Sequence, residues 1–223
     1  MKRVLVSWST GKDSAWTLYT LQRYAEIEVV GLLTTVNQAF ARVAMHGVRR
    51  ELVEAQARAT GLPLWEVPLP WPCSNAEYED AMRAACARAR AEGVEVVAFG
   101  DLFLEDVRRY REERLQGTGL EPLFPLWGRP TDQLARTMIS AGLRARIVCL
   151  DPKALSLKFA GREYDGAFLG DLPPSVDPCG ERGEFHSFVY AGPMFRQALE
   201  VICGATVTRD GYMFTDLRPS TES

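Results

Sequence analysis

Short apolar runs alternate along the chain with longer segments whose apolar residues recur every three or four positions. Residues 3–7 (RVLVS) predict a buried strand, then a tight polar turn and an amphipathic helix from about Asp13 to Tyr24. Residues 27–35 (IEVVGLLTT) are rich in β-branched side chains and predict a second strand. A helix over 48–60 places Leu52, Ala55, Gln56 and Ala59 on one face, and Gly61 ends it ahead of Pro63. Residues 64–67 predict a third strand, 75–92 a long Ala/Arg/Glu helix stopped by Gly93, and 94–99 (VEVVAF) a fourth strand. A further helix over 131–141, ended by Gly142, leads to a fifth strand over 145–150 (ARIVCL). This alternation predicts βαβ units, hence an α/β fold with a Rossmann-like, doubly wound parallel sheet covered on both faces. Such sheets bind ligands outside the carboxyl ends of their strands, where the strand order reverses. The rhythm breaks after Asp151-Pro152 into a Gly- and Pro-rich stretch. Residues 1–150 are therefore expected to form the α/β domain, and 151–223 a smaller α+β C-terminal domain.

Composition narrows the function classes. With 223 residues, 47% hydrophobic, 25% charged and a net charge of −3, the chain has the profile of a globular protein without a global field for nucleic acid or anionic membranes. No apolar run approaches the roughly 18 residues of a bilayer span. The three apolar residues behind the basic amino terminus are too few for a signal peptide, so a cytoplasmic location is expected. Five cysteines without a C-x-x-C, and two histidines not paired with them, argue against disulfides and structural zinc. Cys149 and Cys203 lie in apolar runs and are expected as buried small hydrophobes. Cys179 is open between a packing thiol and a functional one.

The candidate chemistry starts at Ser9-Thr10-Gly11-Lys12-Asp13-Ser14, between the first strand and the first helix. A strand–turn–helix junction aims backbone N–H groups and the positive helix end at an anion. Gly11 is expected to supply the positive φ and the close backbone approach, with the hydroxyls of Ser9, Thr10 and Ser14 as phosphate donors and Lys12 as a mobile charge. Asp13 caps the helix or holds a magnesium ion bridging phosphates. A phosphate-binding G-x-x-x-x-G-K-[ST] loop would need Gly at Val6 and Ser or Thr at Asp13, and no G-x-G-x-x-G is present.

V-S-W-S-T-G-K-D-S resembles the S-G-G-x-D-S pyrophosphate loop of the ATP pyrophosphatases, with Thr10 in place of the usual glycine. A second signature, D-P-C-G-E-R-G-E-F-H-S-F-V-Y-A-G-P over 177–193, resembles the G-E-[YF]-H-[TS] motif of the diphthine–ammonia ligase branch. Met45-His46-Gly47-Val48, Phe99-Gly100-Asp101 and Phe124-Pro125-Leu126-Trp127 match further landmarks, so the resemblance runs from the first strand to Pro193. It implies an adenine nucleotide alpha hydrolase-like fold and an ATP-dependent, AMP-forming amidoligase. A carboxylate is adenylated with loss of pyrophosphate and then amidated by ammonia. ATP would be bound by Ser9, Thr10, Gly11, Lys12, Asp13, Ser14, Gly100 and Asp101. Mg2+ would lie at Asp13.

The resemblance makes Lys12, Asp13, Glu184 and His186 the catalytic candidates, with His46, Glu181 and Ser187 as acceptor or nucleotide contacts. On a strand, Glu184 and His186 would share one face and Ser187 the other. Glu184 could then bind ammonium and take its proton, and His186 could hold or relay charge near neutral pH. His46 reads equally as a cap or solvated residue. The run Glu105–Arg114 reads as a solvated helix face or, alternatively, an acceptor-docking element. Trp71 and Trp127, beside prolines or in turns, read as loop-packing residues. The implied partners are ATP, ammonia and a carboxylate acceptor, either diphthine on elongation factor 2 or a small molecule. A homo-oligomer is compatible with the sequence; membrane and nucleic acid are not favoured. Two other readings compete: a nucleotide sensor without turnover, and a tRNA-modifying enzyme, which would need a reactive cysteine.

Overall fold

The computed structural model describes residues 1–40, 42–43 and 47–220. At the centre of its first sheet lies β1 (Lys2–Ser7), flanked in parallel by β2 (Ile27–Asn37) and, on the other side, by β5 (Val96–Ala98). β4 (Leu64–Leu69) pairs outside β2, and β6 (Glu121–Leu123) outside β5, both in parallel. A two-residue strand, β3 (Arg42–Val43), runs antiparallel to the end of β2. Chain order thus leaves β1 in one direction toward β2 and β4 and returns on the other side at β5, which makes the gap between β1 and β5 the switch point. β1 is apolar at successive positions because both its faces are covered. Val4 and Val6 join the core formed with α1 (Lys12–Leu21) and α2 (Arg50–Thr60), while Leu5 joins the core under α3 (Asn75–Ala91) and α4 (Glu105–Leu115).

The strand expected over 145–150 exists as β7 (Arg144–Leu150), but it does not extend the parallel sheet. It lies in a second, antiparallel sheet between β8 (Phe185–Ala191) and β10 (Tyr212–Pro219), with β9 (Val201–Arg209) at the edge. The parallel sheet ends instead with β6, a three-residue strand containing Pro122, too short and proline-marked to stand out in the sequence. A division after about residue 150 would separate β7 from both its partners. Cys149, on β7, is buried as expected, whereas Cys203, on β9, is exposed.

The two sheets meet over the carboxyl end of β1. The Val189 N–H of β8 donates to the Thr10 carbonyl at 3.0 Å. On the opposite flank Asp216 of β10 accepts from Arg42 at 3.0 Å and from both Nε and Nη2 of Arg49 at 3.0 and 2.8 Å. Among the described residues, no helix is long and apolar enough to cross a membrane.

Candidate active site

After Ser7 the chain turns through residues 8–11 into α1. The left-handed residue of this turn is Thr10, with φ 74°, and not Gly11, which caps the helix in an extended conformation at φ −87°. Gly11 serves the other expected purpose, since a Cβ there would lie 3.1 Å from the Ser187 carbonyl of β8. A β-branched residue in the left-handed region costs on the order of 1–2 kcal/mol. Thr10 is kept there by its surroundings. Its carbonyl accepts from Gln56 Nε2 at 3.0 Å as well as from Val189, Gln56 also donates to the Val189 carbonyl at 2.6 Å, and Trp8 Nε1 donates to Gln56 Oε1 at 2.8 Å. The Thr10 side chain is turned inward, fully buried, and its hydroxyl makes no hydrogen bond among the described residues, so it does not donate into the crevice as expected. Ser9 and Ser14 shape the loop: their hydroxyls lie 3.1 Å apart, and Ser14 Oγ donates to the Gly11 carbonyl at 3.0 Å.

A cavity of about 600 Å³ opens between the carboxyl ends of β1 and β5. Gly100 brings the β5 end against α1, where a Cβ would stand 2.9 Å from the Asp13 backbone. Ser9, Gly11, Lys12, Asp13, Ser14, Gly100 and Asp101 all line this cavity. Lys12 is buried and paired. Its buried ammonium donates to Asp13 Oδ2 at 2.8 Å and to the Cys179 carbonyl, and lies 5.7 and 5.5 Å from the rings of Tyr164 and Phe185. Burial opposes its charge, but Asp13 and the acidic groups around it more than offset that and keep it protonated. Burial raises the Asp13 carboxyl against the pull of Lys12, and Asp177 and Asp101 add to the rise. Burial also raises Asp101, opposed by Arg111. Asp13 Oδ1 and Asp101 Oδ2 are buried without a hydrogen-bond partner among the described residues.

The segment from Asp177 to Ser187 covers this cavity from the second sheet. Glu184 precedes β8 and does not line the cavity: its Oε1 accepts from the Asp177 N–H and its Oε2 from the Arg182 N–H, each at 2.9 Å. Its carboxylate ties the turn between Asp177 and Arg182 together. His186 lines the cavity, and burial, with the charge of Lys12, lowers its imidazole to about 4, which leaves it neutral near physiological pH. Ser187, expected on the opposite face, also reaches the cavity, and its hydroxyl accepts from the Lys12 N–H at 3.2 Å. Glu181 is on the wall too. Its Oε1 accepts from the N–H groups of Leu102 at 2.7 Å and Phe103 at 3.4 Å, and burial raises its carboxyl to about 7. Cys179 and Cys149 line the cavity with thiols that burial pushes up to about 12, so neither is a thiolate. His46 lies outside the described residues.

Two further residues of the site carried no signal as such. Gln56 was legible only as one member of a buried helix face. Arg111, within the charged run of α4, turns into the cavity, whereas Arg108 one turn earlier stacks at 5.0 and 4.8 Å on Phe124 and Trp127. A second cavity of about 700 Å³, over the ends of β2 and β4, shares Ser7, Ser9, Phe99, Val107 and Arg111 with the first. Trp127 packs as expected, while Trp71 is 60% exposed and meets the ring of Phe40 edge-on. No group of three or more His, Cys, Asp or Glu side chains among the described residues could hold a metal by itself.

Comparison with known proteins agrees along most of the chain. A diphthamide synthase N-terminal domain model matches residues 1–122 and a diphthamide synthase C-terminal domain model residues 130–216. A diphthine–ammonia ligase of Bos taurus is 26% identical, covering 95% of this chain and 87% of its own. The Homo sapiens protein of that name is 26% identical over 89% of this chain and 82% of its own, and the Danio rerio one is 31% identical over 72% and 68%.

Proposed function

Since the chain belongs to the diphthamide synthase family, we propose that it is an ATP-dependent, AMP-forming ligase that amidates a carboxylate with ammonia, diphthine on elongation factor 2 being the acceptor. The observation that carries this reading is the pair of buried oxygens without a hydrogen bond among the described residues, Asp13 Oδ1 and Asp101 Oδ2, on one cavity wall beside the start of α1. Two carboxylates with room for phosphates and water suit Mg2+, which takes only one or two protein ligands in such sites. Asp13 and Asp101 would hold it, and it would neutralise charge on the phosphates.

The chain's own groups do the rest. Of the first-turn N–H groups of α1, which have no intrahelical acceptor, that of Lys12 is taken by Ser187 Oγ, so those of Asp13 and Ser14 would face the phosphate tail, and the turn at Thr10 sets their direction. The acceptor's carboxylate oxygen attacks the α-phosphorus while the bond to pyrophosphate breaks. Ammonia then bonds to the acyl carbon, and AMP leaves with the carbon–oxygen electron pair. Ammonium must lose a proton before it can attack. Glu181, pinned by two backbone N–H groups and titrating near 7, takes that proton, the role that Glu184 is too deeply engaged to fill. His186 serves as a neutral hydrogen-bonding wall. Protonated thiols at Cys149 and Cys179 do not suit sulfur insertion into tRNA.

The test is a product assay with MgATP, ammonium and diphthine-bearing elongation factor 2. AMP, pyrophosphate and amide should appear in equal amounts, and Asp13→Asn or Asp101→Asn should slow the reaction by about 100-fold or more. ADP and phosphate as products would refute the reading. Binding of ATP with no turnover, even with small carboxylates offered as acceptors, would leave a nucleotide sensor in its place.

A further inference from the structure

We infer that Arg111 is the phosphate-gripping cation of the crevice, the side chain that holds the departing pyrophosphate; the inference rests on the ligase reading above. The sequence motif offers Lys12 for this task, but its ammonium is 3% exposed and bound to Asp13 Oδ2 and the Cys179 carbonyl. Reaching for a phosphate would break both contacts and strip a buried carboxylate of its counter-charge, a step costing several kcal/mol. Lys12 is a structural charge that fixes Asp13.

Arg111 is in the opposite condition. It stands on the wall common to both cavities. The ring of Phe99 supports its guanidinium at 5.1 Å, and the Tyr78 hydroxyl lies beside it. Its Nε is buried and makes no hydrogen bond among the described residues. Asp101 Oδ2 pairs with it at 3.6 Å, too far for a hydrogen bond, and itself makes no hydrogen bond among the described residues. The two charges thus form a loose ion pair without a hydrogen bond, and each keeps bonding capacity to spare. A cation on Asp101 and phosphate oxygens on Arg111 satisfy both at once, and the planar fork of arginine fits a phosphate in two-point fashion. The other arginine on the wall, Arg182, is at the rim, 59% exposed and 5.2 Å over Phe103.

Calorimetric titration with magnesium pyrophosphate, MgATP and AMP tests this without any acceptor. Arg111→Met should weaken pyrophosphate binding at least tenfold, with AMP binding within about twofold of wild type. Arg111→Lys, which keeps the charge but not the fork, should fall between the two and covers the case in which Arg111→Met does not fold. Arg108→Met, outside the cavity, should bind as wild type. Unchanged pyrophosphate binding in Arg111→Met or Arg111→Lys, or an equal loss of AMP, overturns the inference. Wild-type protein that binds ATP but no pyrophosphate refutes the arginine assignment alone, whereas wild-type protein that binds none of the three ligands refutes the ligase reading beneath it.

Discussion

Replacing Gln56 by Leu should both destabilise the protein and loosen its nucleotide site. Gln56 is fully buried and makes three hydrogen bonds, from Trp8 Nε1 and to the carbonyls of Thr10 and Val189. Leu fills nearly the same volume, so the cavity contribution is small and the loss is polar. Trp8 Nε1 would be left with no acceptor, at about 1–3 kcal/mol for a buried orphaned donor. The Thr10 carbonyl would keep only the Val189 N–H at 3.0 Å, and each weakened acceptor adds about 0.5–1 kcal/mol. The total is about 2–5 kcal/mol, read as a lower urea midpoint at unchanged slope. Because the same carbonyl anchors the strained residue of the turn, ATP affinity should drop by about tenfold or more in variant protein held well below its unfolding midpoint. A stability loss under about 0.5 kcal/mol, or wild-type affinity in the destabilised variant, would refute the claim that this amide holds the turn.

Thr10→Val removes a buried hydroxyl without a hydrogen bond while keeping the side chain's shape, so stability should rise by about 1 kcal/mol with ATP affinity unchanged. Glu181→Gln should abolish amide formation yet leave ATP binding within a few-fold, and the rise of wild-type activity through about pH 7 should vanish from the rate profile. The same group has a folded value above its usual 4.5, so its contribution to stability is full below that pH and fades as pH climbs toward 7. Melting scans between pH 4 and 8 should show this decline in wild type and not in Glu181→Gln. Arg49 and its neighbours hold Asp216 well below the usual carboxylate range, so its contribution is present above about pH 4 and disappears as pH falls through the lowered value. Asp216→Asn should therefore cost about 1–2 kcal/mol at pH 7 and nothing in strong acid, measured by urea titration at both.

The parallel half of the fold was legible because a doubly covered sheet writes itself as unbroken apolar runs such as RVLVS, set off by helices with glycine stops. β6 was not, since three residues with a proline leave no periodicity. β7 was visible as a strand but not as a member of the second sheet, because a run buried on both faces has the same appearance in either sheet. At the site, residue types were legible and directions were not. The two-residue period that put Glu184 beside His186 holds only within a strand, and β8 begins one residue too late. The backbone before it turns at Gly183, φ 86°, which curls the Glu184 carboxylate back onto the Asp177 and Arg182 amides and leaves Glu181 facing the crevice.

The same gap between residue type and direction separates Lys12 from Arg111. A lysine next to an aspartate in a phosphate-loop motif reads as a charge for the ligand, yet adjacency in sequence is what allows Lys12 to be consumed by Asp13. Burial decides the matter. With Lys12 and Asp13 cancelling, and Asp101 and Glu181 on the same wall, the crevice holds no surplus of positive charge for a triphosphate. Binding must then draw on α1's N-terminal amides, a metal brought to the two carboxylate oxygens that lack a hydrogen bond among the described residues, and the loosely paired Arg111. A consequence follows for nucleotide affinity: it should depend steeply on Mg2+, because without it Asp13 and Asp101 repel the phosphates that Arg111 attracts. Titration of ATP with and without chelator should therefore differ by about 100-fold or more in wild type and by far less in an Asp13→Asn, Asp101→Asn double variant, where the repulsion is gone. Equal affinity with and without metal in the wild type would mean that these carboxylates do not face the phosphates at all.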